Sequence, residues 1–552
     1  MKNKLLRCAA AVATVAALAL SFAGPARAAA CTDTIDTASP VLTNGFAFGL
    51  TNTRDNASNI TSANVAGLHL AFGNAAVGSN EKRGAPAATQ QAIFLSAGRK
   101  IEAINRVSGC RYWSYTIPQK LSVAGGNSVR SSSVYYLNEG GGHTALVLAG
   151  DIYGNFYAVN AVTGNLVWSH FLGTDRKHHF ITGGMQFYGG KLFVPVASKE
   201  VITTIVELQD CCRSHGMLQA INPYTGTIYW TYNTSERASY QPSTGKKAPN
   251  GMSIWGTPAI DPARNTIYIG TGQNLSPPTT RNSDSVIALD MDTGNEKWVF
   301  QGNVGDAYNA GCELKPPLNV DCVDPKGPDW DFGAPPILVH LAGGKDAVIA
   351  GEKSGVVYSL DPDTGAVNWS HKLGAGGALG GIHWGMATDG TNVYAAVSDV
   401  TVDKASALSY IFKNSEITQV PDATPGIYAL KLSNGQLVWE VHPQHTYKGQ
   451  QYPSIYSAAL SVTNDVLFAG SLDGVLKAFR TSDGAELWSY DTTAPFTDPD
   501  GNSGHGGTID SVGAVPAGSD LLVNSGYSTF GSPGPLQYGG GNALLVMRLP
   551  GA

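Results

Sequence analysis

Charge is scarce in this sequence: only 14% of its 552 residues are Asp, Glu, Lys or Arg. That argues against helix bundles, whose exposed faces are densely charged. Long apolar runs are missing too. Beyond the first thirty residues no stretch is long enough to cross a bilayer. The charge balance has no basic excess, standing at −6, and this argues against nucleic acid as a partner. No C-x-x-C-H occurs, so the signature of covalently held c-type haem is absent.

What is abundant is glycine, at 66 residues, alongside a hydrophobic share of 43%. Such a chain suits many short strands and tight turns around a large core. The first residues stand apart. Lys2, Lys4 and Arg7 precede an apolar run from Ala9 to Phe22, and small residues follow up to Ala28. This pattern predicts a secretory signal peptide over 1–28, cleaved to leave 29–552 in the periplasm or outside the cell. Cleavage removes four basic residues and no acids, taking the net charge from −6 to −10. Cys31 follows Ala28-Ala29-Ala30 rather than the Leu-containing run expected before a lipidated cysteine.

Seven Cys are present, and Cys8 leaves with the signal. Six remain, an even number that points to disulfides in an exported chain. Cys312 and Cys322 are close enough to staple one loop, and Cys31 with Cys110 is a second expected pairing. Cys211 and Cys212 are adjacent.

A repeat decides the architecture. Seven segments carry a small residue, a Gly six positions later and a Trp ten positions after the start. They begin at Ala103, Ala158, Ala220, Ala288, Ser359, Ala429 and Ala478 and end at Trp113, Trp168, Trp230, Trp298, Trp369, Trp439 and Trp488. Each reads as strand, tight turn, strand. Successive Trp residues lie 49 to 71 positions apart, enough for one four-stranded sheet per repeat. Radial stacking of such sheets predicts an all-β propeller. The last apolar strand, Ala543 to Met547, has no Trp motif after it. Pairing it with Leu68 to Phe72 would close an eighth blade and remove the free edges.

Three further Trp residues, Trp255, Trp330 and Trp384, lie outside the repeat in SIWGTPAIDP, GPDWDFGAPP and GGIHWGMATD. With AGEKSGVVYSLDPDTG and GHGGTID, and with the Trp motif itself, these phrases resemble the quinoprotein alcohol dehydrogenases, most of all their polyvinyl-alcohol dehydrogenase branch. The resemblance covers nearly the whole chain after the signal. It implies pyrroloquinoline quinone (PQQ) on the propeller axis, Ca²⁺ beside it, and oxidation of an alcohol.

Residue by residue, the resemblance implies the following roles. Trp255 stacks on one face of PQQ, and Trp384 also contacts it. Asp331 is the catalytic carboxylate that takes the substrate's proton; the neighbouring Asp329 has no role in the family and reads as a loop residue. Lys353 is the cation at the reactive quinone oxygen. Arg130 pairs with a PQQ carboxylate and Thr182 donates a hydroxyl to the cofactor. Glu200, Asp331 and either Gln273 or Asn274 hold the metal. Gln273 stands where the family has Asn, which puts metal affinity in doubt. Gly333 stands where a lanthanide site has a further aspartate, so Ca²⁺ is expected. Cys211 and Cys212 are expected to form the adjacent-residue disulfide of the family, on or near the other face of PQQ. His383 lines the substrate entrance or is structural.

Family members of this branch often carry a fused haem domain. None is read here, so electrons are expected to pass to a separate acceptor such as a soluble cytochrome c. A polymeric, a secondary and a small primary alcohol all fit the sequence. Two rival readings use the same repeat: a non-catalytic propeller scaffold for protein assembly in the cell envelope, and a quinoprotein that binds PQQ without turnover.

Overall fold

The computed structural model describes residues 30–76, 82–119, 121–122, 125–126, 128–205, 211–314, 316–317, 319–341, 343–402, 416–527 and 532–552. The signal peptide expected at 1–28 lies outside the described residues. Each Trp motif forms the third and fourth strands of a four-stranded antiparallel blade. In blade one, Lys100–Asn105 and Arg111–Thr116 follow Ala87–Thr89 and Ala92–Ala97. Blades two to seven end in Leu166–Phe171, Ile228–Asn233, Glu296–Gln301, Val367–Lys372, Leu437–Val441 and Glu486–Asp491. The eighth sheet combines Ala514–Ala517, Asp520–Ser525 and Ala543–Arg548 with His69–Ala75 from the other end of the chain. The closure expected from sequence is therefore present, and the ring has eight blades.

The spacing within the motif has a steric reason. The small residue that opens it is the cross-strand partner of its Trp: Ala103 faces Trp113, Ala288 faces Trp298 and Ser359 faces Trp369. Six of the indoles, those from Trp113 to Trp439, then cross to the next blade. Trp113, Trp168, Trp298, Trp369 and Trp439 donate Nε1–H to the carbonyls of Ala161, Pro223, Pro362, Leu432 and Thr481, each at 2.9 Å. The ring lies on the motif glycine of that blade. A Cβ at Gly435 would stand 2.4 Å from Trp369, and one at Gly484 2.7 Å from Trp439. These glycines also hold φ of +69° and +72°, which favours Gly independently. Between blades eight and one, Phe72 takes the indole's place, 2.9 Å from a Cβ on Gly109.

A strap that the sequence did not announce runs across the foot of the ring. Val41–Thr43 pairs with Ala87–Thr89 of blade one, and Asn44 bonds Tyr136 of blade two. Gly49 accepts from Gln186 of blade three. Leu50, Thr51, Thr53 and Arg54 accept from the backbone of Ile260, Leu338, Thr388 and Val462, in blades four to seven. Asn59 donates to Gly518 of blade eight. Residues 41–59 thus visit every blade in order. Arg54 is fully buried. Its guanidinium donates to the carbonyls of Leu460, Phe46 and Val512 and stacks on Phe46 and Phe48 at 4.7 and 4.6 Å.

Three disulfides are present: Cys31–Cys110, Cys312–Cys322 and Cys211–Cys212. The first ties the approach to the strap to blade one. Among the described residues, no helix is long and apolar enough to cross a membrane.

Gly484→Ala is expected to lower the melting temperature by about 3 °C or more, through a strained φ and a clash with Trp439. Gly390→Ala has a similar angle, φ +82°, but nothing within 4 Å. It should cost clearly less. Equal losses in the two melting curves would mean that the Trp contact contributes nothing.

Candidate active site

Four residues before the first strand of every blade, the chain turns towards the axis. In blades one to eight that position holds Arg83, Ser131, Thr182, Trp255, Gly333, His383, Ser457 and Asp510. Of these, Arg83, Thr182, Trp255 and His383 line a cavity. A second tier comes from the turns after the second strands, which supply Gln273, Lys353 and Tyr527. On the strap side, Phe46 packs in one apolar cluster with Trp384 and Tyr527, and Trp255 packs against it. The strap is thus the floor of the site.

Gly333 explains the pose of Trp255. A Cβ there would fall 1.9 Å from the indole, so blade five leaves its axial position empty for the ring of blade four. Trp255 stands nearly perpendicular to Trp384, at 5.3 Å and 81°. The Lys353 ammonium lies 5.5 Å from the centre of the Trp255 ring.

Lys353 bridges two carboxylates. Its Nζ is 2.8 Å from Asp331 Oδ2 and 3.2 Å from Asp329 Oδ2. Burial alone would lower its pKa, but Asp329 and Asp331 outweigh burial and hold it above its ordinary value. Asp331 Oδ1 accepts the backbone N–H of Gln273 at 3.1 Å. The carboxylate rests on Gly272, where a Cβ would meet Oδ1 at 2.6 Å. Asp329, read from sequence as a loop residue, is a member of the ion pair and sits at φ +65°. Burial raises it well above the usual carboxylate range.

Further acids stand behind this pair. Both carboxylate oxygens of Asp284, one of Asp306 and one of Glu352 are buried without a hydrogen-bond partner. Burial pushes all three up, helped by repulsion from neighbouring carboxylates such as Asp331, and Glu352 reaches about 8.

The other sequence candidates separate into two groups. Arg130, Thr182, Gln273 and Trp384 line the cavity with Trp255, Asp331 and Lys353. Arg130 stacks 5.5 Å from the Tyr527 ring, and Arg83 lies over both Trp384 and Tyr527. Gln273 donates Nε2 to the Tyr308 carbonyl at 3.1 Å, which leaves Oε1 for the cavity. Asn274, Glu200, Cys211 and Cys212 are not in the wall. Asn274 is spent on its loop, donating to the Asn250 carbonyl and accepting from Thr280 N–H. Glu200 Oε2 accepts from the backbone of Arg213 and Ser214 and from the Ser214 hydroxyl. The Cys211–Cys212 disulfide packs behind the wall residues Leu275 and Val201. Trp330 stays outside the cavity, with Lys372 at 5.7 Å from its ring. Arg83, Ser457 and Asp510 were missed. Their signal was the fixed offset from the first strand of each blade, shared with Thr182, Trp255 and His383.

The donor set suits a planar quinone bearing carboxylates. Trp255 offers a flat face, Arg83 and Arg130 offer guanidinium forks, and Lys353 offers a cation. For a hard cation, the cavity supplies Asp331 and Gln273 Oε1. Among the described residues, no three His, Cys, Asp or Glu side chains form a ready-made cation cage. Such an ion would draw its remaining oxygens from elsewhere, the cofactor included.

The raised Glu352 makes a stability prediction. Its folded form binds a proton more tightly than an unfolded glutamate does, with an ordinary value of about 4.3. Stability is therefore lost as pH rises from about 4.3 to about 8. Glu352→Gln should gain melting temperature over the parent chain at pH 9, with little gain at pH 4. A gap that is the same at both pH values would show that Glu352 is not held neutral.

Comparisons with known proteins agree with this geometry. The family model described as glucose/ethanol/alcohol dehydrogenase, beta-propeller domain, of the PQQ type, matches residues 55–372. That of the outer membrane protein assembly factor BamB matches residues 352–509. A polyvinylalcohol dehydrogenase from Pseudomonas sp. is 32% identical over 94% of this chain and 78% of its own length. A second, from Sphingopyxis sp. (strain 113P3), is 33% identical over 83% of this chain and 68% of its own. Among solved structures, the quinohemoprotein alcohol dehydrogenase of Comamonas testosteroni superposes with a TM-score of 0.62 at 19% identity, over 93% of this chain and 82% of that one. The likeness to that structure concerns the fold, whereas the family match and the two polyvinylalcohol dehydrogenases bear on the chemistry. The chain belongs to the PQQ-type alcohol dehydrogenase propellers and is a quinoprotein dehydrogenase.

Proposed function

We propose that this enzyme oxidises an alcohol next to Asp331 in the axial cavity, where Trp255 would hold PQQ and Asp331 and Gln273 would hold Ca²⁺. The observation that carries the proposal is the Lys353–Asp331 contact of 2.8 Å beside the Trp255 ring. When bound, PQQ supplies the two-electron acceptor for the carbinol hydride, and Ca²⁺ supplies a Lewis acid. The chain's own residues do the rest. Asp331 takes the hydroxyl proton as the carbonyl forms. Lys353 pairs with that carboxylate and places positive charge where negative charge develops. Arg83 and Arg130 anchor the cofactor's carboxylates, and Thr182 adds a hydroxyl donor.

The metal assignment favours Gln273 over Asn274, because Asn274 is already committed within its loop. Glu200 has only Oε1 to offer. The Cys211–Cys212 disulfide backs the wall through Leu275 and Val201. Names of the relatives above 30% identity support a secondary alcohol, free or on a polymer. We further propose that 29–552 is one exported propeller unit, acting in the periplasm or outside the cell and passing electrons to a separate acceptor such as a soluble cytochrome c.

The test is a dye-linked assay with PQQ, Ca²⁺ and a panel of alcohols, read beside PQQ binding by tryptophan fluorescence. Alcohol-dependent reduction that needs PQQ is expected. Asp331→Asn should bind PQQ but lose about 100-fold or more in kcat, and Trp255→Ala should weaken PQQ binding. A chain that neither binds PQQ nor turns over any alcohol would overturn the proposal and favour the scaffold reading.

A further inference from the structure

One carboxylate of the axial cavity stands apart from the Lys353 cluster. Glu313 lines the cavity and is buried. It pairs with Lys326, whose Nζ lies 2.5 Å from Oε1. Among the described residues, Oε2 has no partner. The Lys326 ammonium also lies 5.2 Å from the centre of the Tyr308 ring. The ion pair therefore holds the carboxylate by one oxygen and leaves the other as an acceptor.

Glu313 ends a firmly held segment, the short turn of helix Ala310–Glu313. Asn309 caps that turn by accepting the Gly311 N–H, and its amide donates to the carbonyls of Leu275 and Asp321. Thr204 Oγ1 accepts the same N–H, and the Cys312–Cys322 disulfide closes the loop. The wall is continuous from here to the reacting carboxylate. Gln273, whose N–H bonds Asp331, donates Nε2 to the Tyr308 carbonyl. Apolar side chains share this wall, among them Val201, Ile202, Leu275 and Ala310. A plain alkyl chain would match them but would cover the Glu313 oxygen without offering it a donor, which is costly. A chain with a hydroxyl at that point would satisfy it.

We propose that Glu313 is a specificity-determining residue, whose Oε2 accepts a hydrogen bond from a second hydroxyl of the substrate, on a carbon other than the one oxidised. This rests on the axial cavity being the alcohol site. The two protons are separate. The reacting hydroxyl gives its proton to Asp331, while the second hydroxyl keeps its own and only donates. Lys326 is a positioning residue that occupies Oε1 and so fixes which oxygen is offered. The substrate class that fits is a diol or polyol on an otherwise apolar carbon chain.

The test compares two alcohols of one carbon skeleton on the full chain loaded with PQQ and Ca²⁺: a diol with hydroxyls on alternate carbons, and its monomethyl ether. The ether keeps the second oxygen but has no proton to donate from it. The parent chain should favour the diol by about tenfold in KM, with kcat changed little. Glu313→Leu should lose that preference, and Glu313→Gln, which keeps an acceptor oxygen, should recover part of it. The ratio is taken within each chain, so a smaller folded fraction does not move it. Dissociation constants from ligand-observed NMR, measured without an electron acceptor, should give the same ratio without turnover. A parent chain that binds diol and ether alike, or a preference that survives Glu313→Leu, would overturn the proposal. A Glu313-dependent preference in binding, with no turnover of any alcohol, would support the role of Glu313 and count against the proposed function.

Discussion

The pairing of His69–Ala75 with Ala543–Arg548 is the interaction on which the rest of the molecule depends. Blades one to seven are joined in series by six indoles seated on glycines, and each such contact is local. None of them fixes the ring. Only when strands from the two ends of the chain share one sheet do all eight axial positions face one another. The strap adds a second constraint from below, because each of its bonds goes to a different blade. Together they convert a row of similar sheets into a closed funnel with a floor, and the cavity exists only in that closed form.

What the funnel holds is a problem in electrostatics. Asp329, Asp331, Asp284, Asp306 and Glu352 gather near one side of the axis, with Lys353 among them. Separate ionisation of all five in a buried place would be prohibitive. The structure resolves this unevenly. Lys353 takes Asp331 and Asp329 as partners, while Asp284, Asp306 and Glu352 are driven towards the neutral form by burial. The Lys353 side of the axis therefore holds an ion pair, and the acids behind it are pushed towards the neutral form.

Much of the architecture was legible because it repeats. A small residue opposite each Trp and a glycine beneath six of the seven indoles are local demands, and local demands leave spacing in a sequence. Trp255, Asp331, Lys353, Arg130, Thr182, Gln273 and Trp384 were proposed from a resemblance, and the structure brings them to one cavity. Asn274, Glu200 and the Cys211–Cys212 pair came from the same resemblance and lie outside its wall. Their side chains answer to loop partners that no spacing records. Arg83, Ser457 and Asp510 were passed over because different chemistry occupies one geometric position in each blade, so residue identity hides the equivalence. The strap was invisible for another reason. It is irregular backbone, with Phe48, Asn52 and Arg54 at positive φ, and irregular backbone has no period to detect.

The order of the strap's contacts bears on how the molecule is made. Residues 41–59 leave the ribosome before any blade they will touch, and blade eight, their last partner, is completed by the final strand of the chain. Early blades have neighbours on one side as they emerge, but the floor has to wait for that strand. Assembly of the cavity thus waits for the strand Ala543–Arg548 rather than proceeding blade by blade. A chain without the strand Ala543–Arg548 would not be a slightly smaller version of this enzyme. It would be a set of blades with no common centre, and whatever the centre binds would have nowhere to go.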